Sequence, residues 1–443
     1  MGSRFAGFVA LKRVSFLFAG VLALILLLWW AAVSFTRPVP ASRDSASFET
    51  PIGDGAAAPS VIDYARLDAR LQRLMAEEPA MVGLAVAVIE NGRIRFAKGY
   101  GETLADSGDP VTTDTVFRWA SLSKGVAADL VAMLANENQL RLDAPVAQYA
   151  QSLRLPGGNE QVATVTDLLS HRLGLFAHAQ DSKLEDGMDP HWLRGSLAGL
   201  RNICPPGTCH AYQNVAYDAA AEIVERVTGQ PYPQAVRERL FQPLGMGSAS
   251  MSRAELMGAR SWARPHVGGG NSRTVEITEN YYRVAAAGGV NGSIEDLARW
   301  AVAQTGAAPG VLPANVLRAV QTPIVNTPGE TRRRREYVER TPTSFYGLGW
   351  RVFDYAGHRV VGHHGGLTGY RSLILIDPIR KTGVVALWNS STGAPNGIEY
   401  EVMDMAYQLP FRDWLELDQP REGASLVAAP TEERADNEGG GGR

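Results

Sequence analysis

Residues Phe117–Lys124 read FRWASLSK, and they open an apolar segment that continues as GVAADLVAMLANEN. The helical spacing of its apolar residues predicts a helix that begins here. Ser121 and Lys124 are three positions apart and share a face of that helix, so the amine can reach the hydroxyl. The helix N-terminus also presents unpaired N–H groups that favour a developing anion. This pattern predicts a serine nucleophile activated by a desolvated lysine, although Ser-x-x-Lys also arises by chance in solvated helix turns.

Two further stretches follow in order along the chain. Tyr212-Gln-Asn214 comes after the loop CPPGTC, and GHHGGLTGYRS occupies residues 362–372. The order Ser-x-x-Lys, Tyr-x-Asn and a basic-x-Gly strand resembles the serine β-lactamase and penicillin-binding-protein superfamily, specifically its class C branch. Other stretches agree in order: TVTDLLSHRLGL (164–175), PPGTCHAYQN (205–214), AAGGVNGSIEDLARW (286–300) and YGLGWRV (346–352). The resemblance covers about residues 80–410.

The resemblance implies a role for each residue of the first two motifs. Ser121 would be the acylated nucleophile, with Lys124 as its proton partner. Tyr212 would share the proton transfer and help to activate water or the leaving group. Two close titrating groups behave as a coupled unit, so the general base is left open between Lys124 and Tyr212. Asn214 would hold the substrate amide and orient Lys124.

The third motif supplies the rest of the expected site. Backbone N–H groups of Ser121 and Gly366 would form the oxyanion hole. His363 would stand where lysine is commoner in the family, and could donate to the tyrosine or to substrate. Gly365 would let the strand approach closely. His364 occupies the place where family members often carry Thr or Ser to bind a carboxylate, and it can donate one hydrogen bond when neutral or two when protonated.

A literal Lys-Thr-Gly also occurs at Lys381–Gly383, and it is the triplet that closes the active site in many relatives of this superfamily. Here it follows Asp377-Pro378, a turn signal, between the strand-like runs RSLILI and VVALWN. The sequence therefore predicts a hairpin tip at Lys381, a strand length away from the reacting centre, and assigns the third motif to His363–Gly365.

Other chemistries are disfavoured by the sequence. His171, His178, His210 and His358 lack metal-ligand spacing, so neither a metal nor another cofactor is expected. The Gly-x-Ser-x-Gly elbow of α/β-hydrolases is absent. The net charge is −3 and no basic stripe follows a predicted helix, so nucleic acid is not an expected partner. The run Arg332–Arg335 is offset by nearby glutamates and fits a solvated loop or, alternatively, a contact with an anion.

The N-terminus predicts a membrane anchor. Residues 14–35 contain no charge over 22 positions, which gives a helix of about 33 Å, long enough for a hydrocarbon core of roughly 30 Å. Basic residues precede the segment, which places 1–13 in the cytoplasm and the rest of the chain in the periplasm of a bacterial inner membrane. The alternative is a cleaved signal peptide and a secreted protein. Residues 36–60 are rich in Pro, Ala and Ser, as in a flexible linker.

The chain has two cysteines, Cys204 and Cys209, in one short loop. On the oxidising side of a membrane, so close a pair predicts a small disulfide. Two unpaired thiols are the alternative reading, whereas a metal would need more ligands than this segment supplies.

One globular unit is expected over residues 61–412, with a polar, disordered tail at 413–443. An amphipathic helix and a hairpin at Asn91-Gly92 are followed by helical segments and then by strands. This order predicts an α/β (α+β) fold, an antiparallel sheet built from both ends of the chain and flanked by helices, with a mainly helical inserted region.

The expected function is a membrane-anchored hydrolase that acts through an acyl-enzyme on β-lactams or D-amino-acid peptide amides. The class C branch also includes D-aminopeptidases and esterases, so an ester or other acyl hydrolase with the same Ser/Lys/Tyr site is the main alternative. A non-catalytic penicillin-binding or sensor module is a third. The expected partners are a small-molecule or peptide acyl substrate and, through the N-terminal helix, the membrane.

Overall fold

The computed structural model describes residues 60–418. The predicted cytoplasmic segment at 1–13, the anchor at 14–35, the linker up to residue 59 and the tail from residue 419 lie outside the described residues. Among the helices of residues 60–418, none has the length and apolar character needed to cross a membrane.

The strands of the described chain form one large sheet and two short ribbons. They are β1 (Gly83–Glu90), β2 (Arg93–Gly101), β3 (Phe117–Arg118), β4 (His266–Val267), β5 (Arg273–Thr274), β6 (Asn291–Gly292), β7 (Val325–Asn326), β8 (Ser344–Tyr346), β9 (Arg351–Tyr355), β10 (His358–Leu367), β11 (Tyr370–Asp377) and β12 (Thr382–Trp388). The large sheet is antiparallel, in the order β2-β1-β12-β11-β10-β9-β8-β7. Since β1 pairs with β12, the predicted sheet from both chain ends is confirmed.

The hairpin between β1 and β2 turns at Asn91-Gly92, as the sequence predicts. Both residues have positive φ, 55° and 72°, which a type I′ turn requires at its two central positions. This hairpin places β1 between the edge strand β2 and β12, where all eight of its residues are buried.

Helices cover both faces of the sheet. They are α1 (Tyr64–Glu77), α2 (Ser123–Asn136), α3 (Val165–Leu169), α4 (Asp181–Glu185), α5 (Pro190–Ser196), α6 (Ala219–Thr228), α7 (Tyr232–Val236), α8 (Arg253–Gly258), α9 (Ala285–Gly288), α10 (Ile294–Val302), α11 (Ala314–Gln321), α12 (Pro328–Arg333) and α13 (Ile398–Tyr407). Except for α1 and α13, they fall between β2 and β8 in the chain, which is the inserted region expected from the sequence.

Each central strand divides its side chains between two cores because successive residues point to opposite faces. Ala85, Ala87 and Ile89 of β1 pack toward α2 and α10, on what we call the insert face. Leu84, Val86 and Val88 pack toward α1 and α13, on what we call the terminal face. The same alternation in β10 sends successive side chains of the third motif to opposite faces of the sheet.

Packing on the terminal face continues past the predicted domain boundary at residue 412. Trp414, Leu415 and Leu417 are buried, and Arg70 of α1 pairs with Glu401 of α13 at 2.6 Å and with Asp413. The packed chain therefore continues beyond residue 412, at least as far as the described residues reach. The acidic, glycine-rich composition that predicted a tail applies only from residue 419 onward.

Candidate active site

Ser121 lies in a 3₁₀ turn (Ala120–Leu122) that leads directly into α2, and its side chain is buried. The residue before it, Ala120, has a φ of 51°, a left-handed conformation that costs a non-glycine residue energy. The surrounding contacts enforce this conformation. Trp119 N–H donates to the Val290 carbonyl at 2.9 Å, and the Ser372 hydroxyl donates to the Trp119 carbonyl at 2.7 Å.

Lys124, the second residue of α2, is fully buried. Its Nζ lies 3.3 Å from Ser121 Oγ, 2.6 Å from Asn214 Oδ1 and 3.0 Å from the Ala287 carbonyl oxygen. It also lies 4.5 Å from the centre of the Tyr212 ring. Serine, lysine, tyrosine and asparagine of the first two predicted motifs are therefore side by side.

The segment that carries Tyr212 and Asn214 is fixed by hydrogen bonds to the chain around His171. Cys204 and Cys209 form a disulfide just before it. The loop that this disulfide closes docks through the Gly207 N–H, which donates to the Arg172 carbonyl at 2.8 Å. Ala211 N–H then donates to the His171 carbonyl at 2.9 Å. Hydrogen bonds to His171 and Arg172 thus hold both the disulfide-bonded loop and the segment that follows it.

His171 belongs to the site, although nothing in the sequence assigns it a role beyond its place in TVTDLLSHRLGL. Its Nδ1 accepts from the Gln213 N–H at 3.1 Å, so the neutral ring carries its proton on Nε2 and donates to the Tyr346 hydroxyl at 3.2 Å. Its ring centroid lies 4.4 Å from that of Tyr212. The sequence feature that could have indicated a buried, hydrogen-bonded ring is a histidine within a mostly apolar segment.

His363 lies on the insert face of β10, and its ring centroid is 6.2 Å from that of Tyr212. Its Nδ1 donates to the His364 carbonyl at 2.6 Å, and its Nε2 accepts from the Tyr346 hydroxyl at 3.0 Å. The hydrogen bonds therefore run in one direction, from His171 through Tyr346 to His363. The expectation that His363 donates to Tyr212 or to substrate is not met in this arrangement, because both ring nitrogens are engaged elsewhere.

Both imidazoles at the ends of this hydrogen-bond chain are neutral. Burial, followed by repulsion from His210 and Lys124, holds the pKa of His171 well below its ordinary value. Burial, followed by repulsion from Arg351 and Lys124, does the same to the pKa of His363. Where the family commonly has a lysine, this site thus places an uncharged ring.

His364 lies on the terminal face, away from Ser121. Its Nδ1 accepts from Arg334 at 3.1 Å, and its Nε2 donates to Glu399 of α13 at 2.9 Å. Burial, and then the charge of Arg334, lower the pKa of this ring. The expectation that His364 takes the carboxylate-binding place is therefore not met, because strand alternation turns the side chain away and both nitrogens have partners. Arg334, one of the four arginines expected in a solvated loop, is part of this cluster.

Gly365 lets β10 lie against the serine turn. A Cβ at this position would lie 2.5 Å from the Trp119 carbonyl oxygen and 3.1 Å from Ala120 Cβ, too close for any side chain. Gly366 follows directly on this contact. The role of its backbone N–H in an oxyanion hole stays a prediction.

Lys381 lies in the turn between β11 and β12, where Asp377 pairs with Thr382, so the predicted hairpin tip is confirmed. Its carbonyl accepts from the Gly92 N–H of the β1–β2 turn at 2.8 Å. Ser372, which contacts the serine turn, pairs with Leu387 of β12. Five residues along β12 separate that point from Thr382, or about 17 Å at the rise of an extended strand.

No group of three or more His, Cys, Asp or Glu side chains within residues 60–418 is placed to hold a metal ion. Among these residues, the polar groups that do converge near Ser121 are the amine, phenol, amide and imidazoles described above. Their arrangement suits nucleophilic acyl transfer, in which a buried base takes the serine proton.

Comparison with known proteins agrees with this geometry. A family model described as "Beta-lactamase" matches residues 67–403. Penicillin-binding protein 4 of Amycolatopsis lactamdurans is 29% identical over 336 residues, covering 73% of this chain and 84% of that protein. Esterase EstB of Burkholderia gladioli is 33% identical over 207 residues, covering 43% and 52%.

An unguisins hydrolase of Aspergillus campestris is 28% identical over 337 residues, covering 73% of this chain but only 61% of its own length. The chain thus spans about three-fifths of that fungal relative. Among solved structures, the octameric penicillin-binding protein homologue from Pyrococcus abyssi superposes with a TM-score of 0.70 at 24% identity, covering 79% of this chain and 78% of that one. That likeness supports the fold.

Proposed function

Because this chain belongs to the beta-lactamase family of serine hydrolases, we propose that it is a membrane-anchored, class C-like enzyme that cleaves the amide bond of D-amino-acid peptides or β-lactams through an acyl-enzyme. The observation that carries the proposal is the buried Lys124 amine 3.3 Å from Ser121 Oγ, beside the Tyr212 ring. A solvated helix turn offers no such desolvated base to a serine.

Acylation would begin when the Ser121 proton moves to the coupled Lys124–Tyr212 pair. The Oγ then attacks the substrate carbonyl carbon, and the carbonyl oxygen becomes an oxyanion. Backbone N–H groups of Ser121 and Gly366 are the proposed donors to it, and losing one such donor typically costs 10²–10³-fold in rate. The C–N bond breaks as the proton passes from the pair to the leaving nitrogen. Water repeats the sequence at the ester and releases the acid.

The neutral imidazoles shape this proton transfer. A lysine in the third motif would set a second ammonium beside Lys124, and like charges disfavour each other. With His363 uncharged, Lys124 meets less electrostatic opposition to its own positive charge. The buried Arg351, whose guanidinium carbon lies 5.9 Å from the Tyr212 ring centre, is the other cation here. Tyr346 fixes both imidazoles in their neutral tautomers.

The anchor and compartment remain part of the proposal. The uncharged segment at 14–35 and the disulfide between Cys204 and Cys209 fit a catalytic domain on the oxidising side of a bacterial inner membrane. Fractionation of expressing cells should place the full chain in the membrane. Protease added to spheroplasts should then digest the hydrolase unit from outside. A shortened chain with a new N-terminus in the culture medium would instead mean a cleaved signal.

The catalytic proposal is tested by acyl donors on the full chain in detergent. A fluorescent penicillin, a chromogenic cephalosporin and a D-alanyl p-nitroanilide would be compared with a p-nitrophenyl ester. We expect covalent labelling at Ser121 and turnover of at least one amide, both abolished in Ser121→Ala. Esterase EstB supports the second candidate, an ester hydrolase with the same site, which turnover of the ester alone would establish. No label and no turnover on any donor would overturn both.

A further inference from the structure

A buried hydrogen-bond network outside the predicted motifs surrounds Asp181, the first residue of α4. Its side chain is buried. A single carboxylate oxygen, Oδ2, accepts from Asn214 Nδ2 at 2.7 Å and from His178 Nδ1 at 2.9 Å. Neither Asp181 nor His178 belongs to a motif singled out from the sequence.

These contacts settle the orientation of the Asn214 amide. A carboxylate only accepts hydrogen bonds, so the amide must turn its NH₂ group toward Asp181. Its Oδ1 is thereby aimed at Lys124, which only donates when charged and lies 2.6 Å away. The lysine that faces Ser121 is thus held by an amide that is itself held by a buried carboxylate.

The backbone before α4 also forms hydrogen bonds with two residues of the segment that carries Asn214. Gln213 Nε2 donates to the Phe176 carbonyl at 2.6 Å, and His178 N–H donates to the Tyr212 carbonyl at 2.8 Å. His178 and Gln180 have φ of 59° and 68°. These left-handed positions turn the chain sharply enough to bring Asp181 back to Asn214.

We propose that Asp181 is a positioning residue of the hydrolase: through the Asn214 amide it fixes Lys124 Nζ opposite Ser121 Oγ. The inference rests on the proposed function and adds a residue to it. His178 serves as the second donor to the carboxylate and closes the network toward the Tyr212 ring, whose centroid lies 5.5 Å from its own.

Two substitutions of Asp181 distinguish the effect of its hydrogen-bond acceptor from the effect of its side-chain volume. Asp181→Leu removes the acceptor, frees the Asn214 amide to rotate, and should slow acylation of the full chain by a fluorescent penicillin about 100-fold. Asp181→Asn can keep an oxygen at the Oδ2 position, and should acylate within about threefold of wild type because both donors retain their acceptor. An Asp181→Leu protein that folds and acylates as fast as wild type would overturn the proposal.

Lysine titration gives a readout that a purely structural role would not move. The chain has five lysines, so ¹³Cε-lysine spectra are simple and the Lys124 signal can be assigned by its loss in Lys124→Arg. The Asp181 carboxylate is separated from the Lys124 ammonium by one side-chain amide and favours its charged form, so Asp181→Asn should lower the titration midpoint of Lys124 by about one pH unit. An unmoved midpoint would show that Asp181 does not act through Lys124 and would sink the proposal, even if Asp181→Leu failed to fold.

The matched control is Asp404→Asn. Asp404 is equally buried, but its carboxylate pairs with Arg340 at 2.8 Å on the terminal face. Its loss should lower stability and leave the Lys124 midpoint unchanged. If the wild type accepts no acyl donor, the proposed function fails, whereas the Lys124 midpoint in Asp181→Asn still decides the role of Asp181.

Discussion

Two lysine-bearing stretches of this chain each match a short motif of the family, and the surroundings of the two lysines differ. Lys124 is fully buried at the start of α2, with a serine, an amide and a carbonyl around its amine. Lys381 is exposed in the turn between β11 and β12, and its backbone carbonyl contacts the neighbouring hairpin. Desolvation and fixed partners make the first lysine fit for proton transfer, and the second has neither. A short sequence motif indicates a catalytic role only when the structural element that carries it buries and positions its residues.

The largest effect is expected when each lysine is substituted in turn, which tests directly whether the two lysines differ in function. Lys124→Met keeps the volume and removes the amine, so acylation by a fluorescent penicillin should fall by about 10²–10⁴-fold. Lys381→Met should remain within about twofold of wild type because the turn lies far from Ser121. Stopped-flow labelling of both proteins, normalised to folded fraction, gives the two rates. A deep loss in Lys381→Met would reassign the third motif.

The glycines of the two candidate third motifs, His363–Gly365 and Lys381–Gly383, sharpen the comparison next. Gly365→Ala would set a methyl 2.5 Å from the Trp119 carbonyl and push β10 off the serine turn, so acylation should fall by about 100-fold. Gly383→Ala would set a methyl 2.6 Å from the Leu375 carbonyl and should cost about 1–3 kcal/mol of stability. Urea unfolding and labelling rates together separate these effects. Equal labelling rates in the two variants would contradict the assignment.

Tyr346→Phe tests the neutral imidazoles beside Lys124. The substitution leaves the His171 N–H and the His363 acceptor without their shared hydroxyl. An unsatisfied buried polar group costs about 1–3 kcal/mol, which urea unfolding would measure. Phe345→Leu, at a neighbouring and half-buried position of β8, is the control for altered packing. A Tyr346→Phe protein as stable as wild type would show that the hydroxyl is dispensable to the fold.

The smallest expected effect is on the pH dependence of stability. Burial holds the pKa of His171 and His363 well below the unfolded value near 6.5. The unfolded state therefore binds more protons below pH 6.5, and stability should fall with acidification by up to about 1.4 kcal/mol per pH unit for each ring. Thermal unfolding at several pH values should show a flatter slope for His363→Gln and an unchanged slope for Lys381→Met. Identical slopes in all three would contradict neutral burial.

Periodicity and the order of elements predict the sheet and the inserted helices. The meeting of Ser121, Lys124, Tyr212 and Asn214 is implied by the family resemblance that the three motifs carry. It does not predict which face His364 occupies, since that depends on strand register against α13. Nor does it reveal His171, Tyr346 or Asp181 as part of the site. Their positions follow from contacts between distant segments, and single histidines, tyrosines and aspartates of this kind are common in any chain.

Ser372 and Trp119 are joined by a hydrogen bond across 253 positions of the chain, which has a consequence for biosynthesis. A nascent polypeptide that has emerged as far as residue 300 already contains the nucleophile, amine and phenol. It lacks β10, the strand that would bind the carbonyl of the scissile bond. Reactivity should thus be withheld until β10 and β11 have been synthesised, and products truncated before these strands should be inert toward acyl donors.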